Sequence, residues 1–141
     1  MPAVCSRVQD CKAAICCQVL YARAIPFYRC RARAGRLRNT LLAEALTGER
    51  PPYATLVYVW DATAPVGTII INPRSDRIRK IVVDSGALNL RQWRDHRRDL
   101  AADFRLAFGE APGPLTAIAL MTDSDNTQSS ARSWYGAVDL H

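Results

Sequence analysis

The sequence predicts a mainly β protein with short helices, arranged as a β-sandwich. Three observations carry that reading. From Ala54 onward the apolar residues come in short runs rich in β-branched and aromatic side chains. Polar turn segments containing Pro, Gly, Asn and Asp separate those runs. Helical periodicity, by contrast, is confined to two brief stretches.

The first of these stretches spans residues 36–47, where Leu37, Leu41, Leu42, Ala45 and Leu46 recur at helical spacing and Gly48 follows as a stop. Pro51 and Pro52 then prevent continuation, because neither can donate a backbone hydrogen bond. Residues 54–60 (ATLVYVW) read as the first strand, and residues 61–65 as a turn. Residues 66–71 (VGTIII) form the second, closed by Asn72-Pro73, and residues 78–84 (IRKIVVD) the third, closed by Ser85-Gly86. These runs are nearly continuous in apolar residues, so each is expected to be buried on both faces or nearly so. The polar turns between them favour antiparallel pairing.

Residues 91–109 interrupt the strands. Asp99 is placed to cap a helix over residues 100–108 by accepting from its first free N–H groups, and Gly109 ends it. A fourth strand follows at residues 115–121 (LTAIALM), then a polar loop at 122–130 and a final strand at 134–140.

Composition divides the chain in two. Residues 1–50 hold nine Lys/Arg and three Asp/Glu, whereas residues 51–141 hold ten of each, so the whole net charge of +6 lies in the first third. All five cysteines precede residue 31. We therefore separate a basic, cysteine-containing segment at 1–34, with disorder as one reading, from a single β-rich domain at 35–141. An odd cysteine count excludes complete internal pairing, and the spacing matches no standard zinc pattern. Incidental thiols are the simplest account. Lys12 before an apolar run and Ala22-Arg23-Ala24 have the outline of an export signal, but Asp10 and Gln18 fall in the wrong regions, and the signal is not convincing. A poorly ordered terminus and a coding artefact are the other readings. No run reaches the ~18 apolar residues that a membrane-spanning helix needs. The basic run at 29–38 lacks interleaved aromatics and precedes a charge-balanced domain, which disfavours nucleic acid as a partner.

Several phrases, taken together and in order, carry a resemblance. They are ALTGERPPYATLVYVWD (45–61), PVGTI (65–69), RIRKIVVDSG (77–86), Trp93 followed by RDLAADFRLAFGEAP (98–112), and ALMTDSDNT (119–127). Over residues 36–140 the chain resembles the bacterial domain of unknown function 3047 family. The resemblance implies a jelly-roll-like sandwich of the carbohydrate-binding type and an exported or periplasmic location, and it implies no reaction. Family domains carry further strands ahead of the first phrase, and residues 1–34 do not resemble them. An incomplete domain is therefore expected, with exposed strand edges that favour self-association.

Few residues suggest chemistry. Asp123, Asp125 and Asn126 crowd hard oxygen donors into one loop, as calcium requires, yet the Gly and distal Glu of an EF-hand loop are missing, and a self-bonded turn accounts for them better. No metal and no cofactor is expected. Asp99 and Asp103 share a helical face and could act as a paired acid and base, but capping by Asp99 and a surface pairing of Asp103 with Arg98 or Arg105 are favoured. His96 lies in a charged run, is expected to be exposed, and has no nucleophile motif to serve. Trp60 is assigned to the core. Trp93, Trp134 and Tyr135 flank loops and, with Asp123, Asp125 and Asn126, are the candidate ligand-binding residues, because sugar C–H faces stack on aromatic rings while hydroxyls need polar partners. The sequence thus favours a non-enzymatic binding module for carbohydrate or another polyhydroxylated ligand. The rival readings are a glycoside hydrolase using its acidic residues and an inactive truncated fragment.

Overall fold

A computed structural model of the chain describes residues 3–9, 15–23, 54–123 and 130–140. Among the described residues, eight strands and one helix follow in the order β1 (Ala3–Gln9), β2 (Ile15–Arg23), β3 (Ala54–Asp61), β4 (Ile69–Asn72), β5 (Ser75–Ser85), β6 (Trp93–Arg97), α1 (Leu100–Phe108), β7 (Leu115–Met121) and β8 (Arg132–Asp139). The fold is mainly β. Five strands form one sheet in the order β4-β5-β3-β2-β7, and three form another in the order β6-β1-β8.

The centre of the larger sheet is β3, whose residues Leu56 to Trp60 are all buried. Its two faces feed two apolar clusters, as alternation along a strand requires. Ala54, Leu56 and Tyr58 pack with Ile81 and with Phe104 and Ala107 of α1. Val57 and Val59 pack with Val82 on the other face, against Ala64, Ile70 and Ile78. The near-continuous apolar run therefore marks a strand covered on both sides.

Local chemistry sets the ends of these elements. The Asp61 carboxylate accepts from the Thr63 and Ala64 N–H groups, folding the turn that leaves β3. Asn72 accepts from the Arg74 N–H in the tight β4–β5 connection. Gly67 adopts φ 89° in a turn closed by the Thr68 N–H on the Pro65 carbonyl, a conformation that an L side chain resists. Asp99 caps α1 by accepting from Ala101 and Ala102 N–H, and Gly109 ends it at φ 71°. The helix matches residues 100–108 as expected.

Four expectations need correction. First, β3 and β5 run parallel, not antiparallel. The segment after Asp61 carries the chain past one strand position, so among the described strands β4 lies at the end of the sheet and β5 returns between β4 and β3. Second, residues 93–97 are a strand within the stretch read as an interruption. Third, β7 is a strand over the expected residues, but Thr116 to Met121 are exposed. It occupies the end of the five-stranded order among the described strands, and its faces lack the apolar packing that covers both sides of β3. Fourth, the sequence assigned no strands before Ala54, yet β1 is the middle strand of the smaller sheet, and β2 lies between β3 and β7 in the larger one. The helix expected at 36–47 lies outside the described residues.

Candidate functional site

The three-stranded sheet brings together two residues that the sequence keeps forty-one positions apart. Trp93 of β6 and Trp134 of β8 both stand opposite Arg7 of β1. Residues directly opposite in paired strands project from the same face, so the two indoles share one face and one row. Adjacent strands are ~4.8 Å apart, which puts about 10 Å between the two backbone positions. Trp93 is 50% exposed and Trp134 40% exposed. Other residues of β6 and β8 on this face, Asp95, Arg97, Arg132 and Asp139, are exposed too.

The opposite face of this sheet is turned inward. His96, Ser133, Tyr135 and Val138 alternate with the exposed residues and are half-buried. Arg94 and, one step beyond the strand, Arg98 continue the alternation of His96, and each grips a buried carboxylate. Arg94 Nε meets Asp84 Oδ2 at 3.2 Å, while Asp84 also accepts from the Ser85 N–H and Asn89 Nδ2. Arg98 binds Asp103 through both Nε and a terminal nitrogen, at 2.8 and 2.6 Å. The Tyr58 hydroxyl donates to the same carboxylate at 2.7 Å, and the Arg98 guanidinium lies 5.7 Å from the Tyr58 ring centroid.

Burial and the Asp103 carboxylate push the Tyr58 phenol far above its usual range. Hydrogen bonding to Asp103 holds the Arg98 guanidinium in its charged form. Burial lowers the His96 pKa, with Asp84 opposing the shift and Arg94 and Arg98 adding to it. His96 is thus a half-buried, neutral ring between two ion pairs, not the exposed residue expected. Asp103 likewise is buried, not at the surface, although Arg98 is one of the two partners foreseen for it. Phe104 stacks on Phe108 at 4.4 Å, and the Arg79 guanidinium lies over the Phe108 ring and donates to the Ala107 carbonyl, so α1 is fixed to β5 from its far end as well.

These carboxylates are committed. Asp103 has three donors, Asp84 three, and Asp99 is occupied by the helix start. Such saturation suits fastening and leaves little capacity for proton exchange with a substrate. Trp60 is buried as expected, and its indole N–H donates to the Gly86 carbonyl at 2.9 Å.

The remaining candidates divide. Tyr135 is adjacent to Trp134 and therefore projects from the opposite face, where its hydroxyl donates to the Met121 carbonyl at 2.6 Å and meets Thr122 Oγ1 at 2.8 Å. It joins β8 to the end of β7 and stands apart from the tryptophan row. Asp123 follows that junction and is partly buried. Asp125 and Asn126 lie outside the described residues. Among the described residues no three His, Cys, Asp or Glu side chains are grouped to hold a metal ion, and no helix is long and apolar enough to cross a membrane. The ion-pair stripe escaped the sequence reading because Arg94, His96 and Arg98 have strand alternation in a polar guise. Period-two spacing of basic residues was the available signal.

A two-sheet β protein with an exposed aromatic row and an inward row of ion pairs is the class that the geometry defines. The family model for Protein of unknown function (DUF3047) matches residues 24–139, most of the chain, and the chain belongs to that family. The match begins twelve residues before the expected start, within the segment set apart by its composition. No curated protein and no solved structure matches the chain.

Proposed function

We propose that the protein is a non-enzymatic binding module that takes carbohydrate, or another polyhydroxylated ligand, on the outer face of the three-stranded sheet. The observation that supports this reading is the shared row of Trp93 and Trp134, each about half exposed. An indole presents a flat apolar surface with a polar N–H edge, which suits a sugar ring whose C–H face is apolar and whose rim carries hydroxyls. Exposed Asp95, Arg97, Arg132 and Asp139 on the same face supply donors and acceptors for that rim. Asp99 and Asp103, the acidic pair considered for hydrolysis, are engaged elsewhere, which favours binding over turnover.

The test is affinity electrophoresis in gels containing soluble neutral polysaccharides, with Trp93→Ala and Trp134→Ala beside the wild type. Retardation of the wild type, weakened in both variants, is the expected result. Equal mobility of all three proteins in every gel would refute the reading.

A further inference from the structure

The spacing of the tryptophan row specifies more than the class of ligand. This step rests on the binding reading above and deepens it. The two indoles are separated by two strand steps, about 10 Å at the backbone. A single sugar ring can cover one of them and cannot cover both. An extended β-linked chain spans a distance of that order with each disaccharide repeat. Where alternate units are flipped, units one and three offer the same apolar face to the sheet.

The charge on the face narrows the choice further. The described side chains that flank the row on β6 and β8, Asp95, Arg97, Arg132 and Asp139, carry two charges of each sign. A face so close to neutral gives little electrostatic attraction to a polyanion, whereas its mixed donors and acceptors match uncharged hydroxyls.

We infer that Trp93 and Trp134 form two linked subsites for one extended, neutral, β-linked polysaccharide chain lying across strands β6, β1 and β8. The chain runs along the hydrogen-bonding direction of the sheet and stacks alternate rings on the two indoles. Because both contacts belong to one ligand, the second is gained at high effective concentration once the first has formed.

Calorimetric titration of the full chain with cello-oligosaccharides of two to six units tests this. Affinity is expected to rise at least about tenfold between the two-unit and six-unit sugars. Trp93→Ala and Trp134→Ala should each reduce six-unit binding to the two-unit level, and the double variant should bind neither. Circular dichroism and thermal melting of the variants establish that they remain folded. Length-independent binding that still needs the tryptophans would overturn the two-subsite inference and leave the binding reading standing. Absence of binding to any neutral sugar would overturn both. So would wild-type dimers in sedimentation that the double variant converts to monomers, since a second copy of the chain would then be the occupant of the row.

Discussion

Tyr58 and Asp103 are forty-five residues apart in the chain and meet through a 2.7 Å hydrogen bond inside the protein. Arg98 closes the group by binding the same carboxylate twice. The three side chains tie the central strand β3, the helix α1 and the end of β6 to one another. Asp103→Asn should therefore cost about 3 kcal/mol, because Arg98 keeps its charge and loses its counter-ion. Tyr58→Phe should cost less, about 1–2 kcal/mol, since Arg98 still satisfies the carboxylate. Urea denaturation of both variants checks the order. A larger loss for Tyr58→Phe would contradict it.

Tyr58 also sets a limit on the alkaline side. Its pKa is raised in the folded chain above the ordinary value of 10.0, chiefly by burial and then by Asp103. The unfolded chain loses that proton at lower pH than the folded chain does. Its contribution is complete below about pH 10 and is lost as pH rises past that point. Between pH 9 and about pH 11, the stability of Tyr58→Phe should fall less steeply than that of the wild type. Parallel slopes in chemical denaturation would show that Tyr58 titrates alike in both states.

His96 works in the opposite sense. Burial lowers its folded pKa beneath the ordinary 6.5, so the unfolded chain binds its proton first as pH falls. Stability is therefore undiminished above about pH 6.5 and declines below it, through the interval down to the folded pKa. His96→Gln should flatten that decline below about pH 6.5. Thermal melting across the interval measures it, and an unchanged slope would place the proton uptake on other groups.

Position in the sheet should govern the cost of apolar truncation. Phe104 is fully buried against β3, and Phe104→Ala should cost about 3–5 kcal/mol. Ile118 on β7 is 37% exposed, and Ile118→Ala should cost no more than about 1.5 kcal/mol. Equal losses in denaturant titrations would mean that β7 is covered as deeply as β3.

Local chemistry was legible in the sequence wherever it is short-range. The α1 boundaries follow from Asp99, Gly109 and the apolar spacing between them. The runs at 54–60 and 115–121 are strands because β-branched and aromatic side chains suit a pleated surface. What escaped was the arrangement between elements. The parallel partnership of β3 and β5 depends on β5 settling between β3 and β4, a choice no single segment encodes. β6 is a strand through the company of β1 and through Asp84 and Asp103, since its own residues are polar. For the candidate site, Trp93 and Trp134 were identifiable as aromatics near loops. Their shared row depends on register with β1, drawn from the segment where the sequence showed no strand signal. Tyr135 was grouped with Trp134 by adjacency, which in a strand puts neighbours on opposite sides.

The sheet order has a kinetic consequence. β4 and β5 are joined through a tight connection at Asn72–Ser75 and can zip together locally. β3 gains its neighbour on one side only when that finished hairpin swings in beside it, and on the other side from β2, more than thirty residues upstream. The longest closures lie elsewhere, where β1 pairs with β8 and β2 with β7, strands from opposite ends of the chain. Such a chain should fold in one late, concerted step, more slowly than a helical protein of its length, with little native structure on the unfolded side of the barrier.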